Sequence, residues 1–213
     1  MKHRVAAAGL VGATLAATPC AAQYLAEQEP QRPVLPVEIT PMAGYAFQNG
    51  IGVPGGAIDV GASPAFGATV NVGDWYGARL EVAYTLQDTG VELQPGGGPP
   101  QPLYGLTLHQ MRIGGEYDIL HETVRPFVGF TLGAALLVPR ADVADELWFD
   151  ATLEGGAKVM LSRVLGVRAQ AQVTNIFVDR SSRIFCSGGC SLPDWPGLGT
   201  TEVLLAAGPT LAF

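Results

Sequence analysis

The residues of this chain whose type and spacing suit chemistry fall into four small groups, and most of them lack a partner. His109 and His121 are the histidines beyond the first few positions. Either would serve as a general base only with a nucleophile in hydrogen-bond reach. His121 lies in "DILHETV" beside Glu122 and Thr123, and His109 lies in a segment of alternating hydrophobicity. Cys186 and Cys190 form a C-x3-C pair in "CSGGC" with no His nearby, so a disulfide is expected there and a metal site is not. The chain-entropy model gives so small a ring roughly 2 kcal/mol. "GVPGG" has the glycines of a phosphate loop but neither the Lys-Ser/Thr pair nor a following helix. The fourth group is a set of isolated charges, Glu38, Arg79, Glu81, Arg112, Glu116, Glu154, Lys158, Arg168 and Glu202. Their meaning depends on the elements that carry them.

The chain starts with Lys2 and Arg4, an apolar run and small residues around Cys20 and Ala22. This is the three-part pattern of a secretory signal peptide, with cleavage expected after Ala22. Pro19 suits lipoprotein processing at Cys20 poorly. Residues 23–36, "QYLAEQEPQRPVLP", read as an extended lead-in with no core of its own. The remainder, 37–213, is long enough for one sizeable domain. Charged residues make up only 15% of the chain, against about 25% in soluble domains. Something other than water should face much of the surface, yet no stretch after residue 22 is long and apolar enough for a membrane helix. The formal charge of −7 falls to −9 once Lys2 and Arg4 leave with the signal peptide, which excludes a basic nucleic-acid footprint.

After residue 36 one theme repeats: about ten residues alternating apolar with polar or small, then a breaker. Eight such segments lie near 37–47, 62–72, 75–85, 104–117, 125–138, 148–161, 165–177 and 200–213. Alternation is the period of a strand. The connections alternate too. "QNGIGVPGGAIDVG", "LQDTGVELQPGGGPPQPL", "PRADVADEL" and "VDRSSRIFCSGGCSLPDWPGLG" are long, whereas "GD" (73–74), "DILHETV" and "SRV" are short. An antiparallel meander puts every second connection at the same end. The expected fold is therefore all-β: an eight-stranded antiparallel up-and-down transmembrane β-barrel with short periplasmic turns and long extracellular loops.

A lipocalin has the same meander with its apolar face turned inward, so the content of the faces must decide. The third segment sets Tyr76, Ala78, Leu80, Val82 and Tyr84 against Trp75, Gly77, Arg79, Glu81, Ala83 and Thr85. The sixth sets Phe149, Ala151, Leu153, Gly155, Ala157, Val159 and Leu161 against Asp150, Thr152, Glu154, Gly156, Lys158 and Met160. The eighth sets Val203, Leu205, Ala207, Pro209, Leu211 and Phe213 against Glu202, Leu204, Ala206, Gly208, Thr210 and Ala212. The apolar faces carry no charge and place aromatics toward their ends, as at membrane interfaces. The other faces mix sparse charges with Gly and Ala, which suits a narrow filled interior better than a soluble surface. The last strand must pair with the first, and Phe213 should anchor at the inner rim.

On this reading the nine isolated charges face the lumen, five acids against four bases, as a low-dielectric interior requires. Lys158 and Arg168 flank the turn at 162–164 and should meet, with an acid between them, either Glu154 or a residue across the lumen. Eight strands leave little more than room for side chains, so a plug is expected rather than a free pore. Asp59, Asp88, Glu92, Asp142, Asp145, Glu146, Asp179 and Asp194 lie in the long loops, as a solvated rim or a surface for divalent ions or a partner. "ELQPGGGPPQP" reads as a mobile tip.

With "EITPMAGYAF" opening, "RPFVGFTLGAAL" as fifth strand, "IFCSGGC" in a loop and a closing strand ending in Phe213, residues 37–213 resemble the small outer-membrane barrels of Gram-negative bacteria, the OmpA/OmpX-like group. The resemblance implies an outer-membrane location and recognition of the closing strand, Leu211 and Phe213 included, by the barrel-assembly machinery. It also implies contact with outer-membrane lipid and lipopolysaccharide. His109 has no Ser two residues on, so the His-x-Ser arrangement of lipid A deacylase barrels is absent. The expected role is structural, adhesive or surface-interacting, as a monomer, with the long loops available to a host or surface ligand. No cofactor, catalytic residue or nucleic acid is expected. A small channel and a lipid A-modifying enzyme are the alternatives.

Overall fold

A computed structural model of the chain describes residues 36–53, 56–120, 123–178 and 199–213. The expected signal peptide, nearly all of the expected lead-in, His121, Glu122, Asp179, Asp194, Cys186 and Cys190 lie outside the described residues. Eight long strands alternate along the chain as the sequence periodicity requires: β1 (Val37–Gln48), β4 (Ser63–Trp75), β5 (Ala78–Pro95), β6 (Gln101–Asp118), β7 (Val124–Pro139), β8 (Glu146–Met160), β9 (Leu165–Phe177) and β10 (Gly199–Ala212). Two short strands, β2 (Ile51–Val53) and β3 (Gly56–Val60), form a hairpin between β1 and β4.

Each long strand pairs antiparallel with its sequence neighbour, and β10 returns to β1, so the sheet closes into a barrel. At this seam Glu38 lies opposite Ala212 and Gln48 opposite Glu202. Pro41 and Pro209 cannot donate to the ladder. The Thr40 and Thr210 hydroxyls, 2.9 Å apart inside the barrel, bridge the gap. Gly208 is required there, because a Cβ would come within 1.8 Å of the Pro41 carbonyl oxygen.

The two faces separate as the alternation predicts. Leu80, Val82, Leu153, Val173, Leu205 and Leu211 are exposed on the outside, whereas Arg79, Glu81, Glu154, Arg168 and Glu202 are buried inside. Closure pairs the first strand with the last, so no open sheet edge faces the apolar belt, as spanning hydrocarbon requires. Aromatic pairs mark its edge toward the long loops: Phe149 stacks on Phe177 at 5.6 Å, and Tyr45 lies 5.2 Å from Phe47. Tyr117 and Phe213 are exposed at the opposite edge.

Three details depart from expectation. The first tight turn is at Tyr76–Gly77, not Gly73–Asp74. Both Tyr76 (φ 57°) and Gly77 (φ 89°) have the positive φ of a primed hairpin turn. The Asp74 carboxylate accepts a hydrogen bond from the Gly77 amide at 3.0 Å. Gly73 instead sits in a bulge against the Trp75 ring, and Trp75 is exposed rather than inward. Second, "QDTGVELQPGGGPPQPL" is mostly strand. β5 and β6 each run 18 residues and leave only 96–100 as the tip. Third, β3 continues the line of β4 along β5, pairing Val60 with Val91 and Gly56 with Pro95. About ten residues cross a bilayer, so this part of the wall stands beyond the apolar belt.

Candidate functional site

The lumen collects the predicted charges. Alternation points one side chain in two inward, and each barrel strand contributes at least one polar group to the interior. Near the short-turn end, Lys158 of β8 donates to Glu38 of β1 at 2.8 Å, bonds Glu116 of β6, and lies 3.4 Å from Asp118. Arg79 pairs with Glu38 and, at 3.3 Å, with Asp118. Arg125, half-exposed at the rim, reaches Glu38 at 3.6 Å.

One layer further in, the Arg168 guanidinium lies 2.7 Å from Glu116, 3.1 Å from Glu81 and 3.3 Å from Glu154. It also donates to the Asn71 side-chain oxygen at 3.2 Å, and Asn71 in turn donates to Glu81 at 2.9 Å. Phe127 forms an apolar floor, its ring centroid 4.2 Å from the Arg168 guanidinium carbon and 5.4 Å from Lys158 Nζ. Lys158 and Arg168 are opposite each other in the ladder as expected, and the acid joining them is Glu116, from across the lumen.

At mid-height the chemistry changes. Arg112 donates to neutral oxygens of Thr85 (2.8 Å), Thr174 (3.0 Å), Gln172 (3.0 Å), Thr152 (3.1 Å) and Gln110 (3.2 Å), drawn from four strands. Glu202 accepts from Gln48 at 2.6 Å and Gln110 at 3.3 Å. Asp150 is fully buried, and neither of its oxygens has a hydrogen-bond donor among the described residues.

Toward the long-loop end the interior is apolar. Val91, Leu106, Leu108, Ala135, Leu137 and Ile176 point inward and pack with Ile51, Ile58 and Val60 of the β2–β3 hairpin. Sequence reasoning missed this half. Its signal was present: these residues share the inward parity of Glu81, Gln110 and Thr174 further along the same strands.

The near balance expected of the lumen also fails. Among the described residues buried acids number seven, because Asp118 and Asp150 join Glu38, Glu81, Glu116, Glu154 and Glu202, against four buried bases, Arg79, Arg112, Lys158 and Arg168. Adding Arg125 makes five, so two negative charges remain. Asp118 continues the parity of Glu116 just past the expected end of its segment, where it was not counted.

The remaining candidates stay apart from the lumen. His109 faces outward, with its Nδ1 2.9 Å from the Tyr84 hydroxyl. Asp88 is exposed, accepts from Thr107 at 2.7 Å and pairs with Arg140 at 2.5 Å. Asp142 and Asp145 are exposed in the connection between β7 and β8, Asp59 and Glu92 are half-buried on β3 and β5, and Glu146 opens β8.

A closed eight-stranded meander with a filled lumen, a charge-free aromatic-edged belt, short periplasmic turns and long extracellular connections is a transmembrane β-barrel of the outer-membrane type. Solved structures agree. Neisserial surface protein A superposes with a TM-score of 0.57 at 13% identity, covering 83% of this chain and 97% of that one. The outer membrane protein OprG of Pseudomonas aeruginosa superposes with a TM-score of 0.58 at 10% identity, covering 84% and 96%. At these identities the likeness concerns the fold, and at that level the resemblance to the OmpA/OmpX-like barrels holds. No protein-family model matches the sequence, and no curated protein sequence matches it significantly.

Proposed function

We propose that this protein is a sealed, non-enzymatic outer-membrane barrel that serves membrane structure and surface interaction rather than solute passage. One observation carries the reading: the lumen is filled twice over, by ion pairs in its periplasmic half and by apolar side chains in its extracellular half. A solute would have to part both. His109, the one histidine of the described barrel, faces the lipid side and is hydrogen-bonded to the Tyr84 hydroxyl, away from the lumen network. The belt suits contact with lipid and lipopolysaccharide as a monomer. The exposed acids Asp142 and Asp145 belong to the surface offered to a host or surface ligand, and Cys186 and Cys190 are expected to pair as a disulfide. Leu211 and Phe213, exposed on the closing strand, are what the barrel-assembly machinery would engage. Residues 1–22 act as the signal peptide and 23–36 as the lead-in.

Planar-bilayer recording of the refolded chain tests the central claim. The expected trace is flat. Discrete steps whose size changes on Arg168→Ala substitution would replace the sealed barrel by a small channel.

A further inference from the structure

The short-turn end of the barrel carries apolar side chains where turns in water carry polar ones. Trp75 and Tyr76 lie at the first turn, Ile119 and Leu120 open the second, and Leu161 and Val164 stand in the third, all of them exposed. The connections at the other end differ: residues 96–100 are glycine and proline, and Arg140, Asp142 and Asp145 carry charge. Turns in water favour Gly, Pro, Asn, Asp and Ser, so the inner tips face something else. Tyr76 is the sharpest case. It holds the left-handed conformation, φ 57°, that Asn or Gly takes in a primed turn and that a bulky residue rarely adopts. Its ring is 98% exposed, so the protein gives no packing in return. A ring bearing a hydroxyl gains most at a membrane interface, where one end meets apolar chains and the other stays wet.

A second observation concerns the backbone. An amide that leaves water without an acceptor costs free energy, and these turns supply acceptors of their own. The Ile119 amide donates to the Pro126 carbonyl at 2.8 Å, and the Leu161 and Ser162 amides donate to the Leu165 carbonyl at 2.9 and 3.0 Å. The Ser162 hydroxyl accepts from the Val164 and Leu165 amides at 3.2 and 2.9 Å, as the Asp74 carboxylate does from Gly77. Continuity names what covers the tips. Tyr117 and Phe213 end the apolar belt at this same edge, so the turns lengthen a surface that already faces lipid. Arg163, exposed between Leu161 and Val164, forms no ion pair among the described residues, and its long side chain can extend to a lipid phosphate.

We propose that the three short turns are immersed in the inner leaflet of the membrane at the level of its head groups, with Tyr76 as the principal anchor. The barrel is seated with its short end in the lipid interface and its long connections in water, and its inner mouth opens among head groups.

Two measurements on the full chain refolded into dioleoylphosphatidylcholine vesicles test this. In the first, Trp148→Phe and Trp195→Phe leave Trp75 as the sole tryptophan, with folding checked by unheated gel mobility. Lipid brominated near the head of its chains should quench Trp75 more strongly than lipid brominated at mid-chain, and iodide in the water should quench it weakly. The reverse order, or ready quenching by iodide, places the tips elsewhere and overturns the proposal. The second uses the otherwise native chain. Tyr76→Asn supplies a residue that the primed turn prefers, so a turn standing in water would gain by it and the urea midpoint would rise. An immersed turn loses its anchor, so the midpoint should fall, and Tyr76→Trp should keep the parental value. A midpoint that holds or rises on Tyr76→Asn overturns the anchor, whether or not the single-tryptophan chain folds.

Discussion

The two halves of the lumen occupy the same barrel and are closed by opposite physics. In the periplasmic half Lys158, Arg168 and Arg79 hold five carboxylates in a buried network over the Phe127 ring. In the extracellular half Leu106, Leu108, Leu137 and Ile176 pack against a hairpin that the loops supply. A buried charge is tolerated only when its partners are in place, whereas an apolar contact needs shape alone. The ionic half is therefore the more specific closure and the more fragile one. Arg112 and Asp150 sit at the seam, where guanidinium donors meet neutral oxygens and a carboxylate meets none.

The comparison breaks most sharply at Arg168. Arg168→Met removes the one guanidinium shared by Glu81, Glu116 and Glu154 and leaves them buried. Removing one partner of a buried pair typically costs about 3–5 kcal/mol. The loss should appear as a lower urea midpoint for unfolding in lipid vesicles. A change below about 1 kcal/mol would mean that the network is solvated and holds nothing shut.

The extracellular half should give way more gradually. Leu108 is buried at the centre of the apolar cluster, and truncation to Ala removes three carbons from it. Leu→Ala in a core costs about 2–5 kcal/mol, depending on how far the site collapses. Ile51 and Ile58 belong to a short hairpin joined to the wall on one side only, so collapse is easy here and about 2–3 kcal/mol is expected in the same urea assay. If Leu108→Ala proved more damaging than Arg168→Met, the ranking of the two closures would be reversed.

The sequence made the barrel legible because a closed sheet in lipid imposes a strict period of two, and Leu80, Leu153 and Leu211 have no freedom to break it. The same period placed all nine charges inside. Chemistry within the lumen was less legible. Parity says that Val91, Leu106 and Ile176 point inward, but not that inward means apolar at that height, because depth along the barrel is set by register and by the length of β5 and β6. Those lengths were misread where Gly90, Pro95 and Pro102 resemble loop composition, although β3 pairs along that stretch and holds it extended. Which acid joins Lys158 to Arg168 was likewise beyond local reasoning. Glu116 is 42 residues from Lys158, brought there by the register of β6 and β8 on either side of β7.

The smallest effect should come from the pair that looks most like the lumen network but stands outside it. Arg140 lies 2.5 Å from Asp88 and 3.2 Å from Thr107, contacts as short as those of Arg168. Both partners are more than half exposed, at 57% and 63%, where water competes for each charge and salt screens their attraction. Exposed pairs contribute about 0.2–1 kcal/mol, so Asp88→Asn should move the urea midpoint by at most about a third of the Arg168→Met shift, and less again in high salt. Contact distances are alike for the two arginines, whereas burial and the number of carboxylates met, three against one, are not, so the pair of measurements reads those two differences together. Equal losses for Asp88→Asn and Arg168→Met would show that the inner lumen is as wet as the barrel's outer rim.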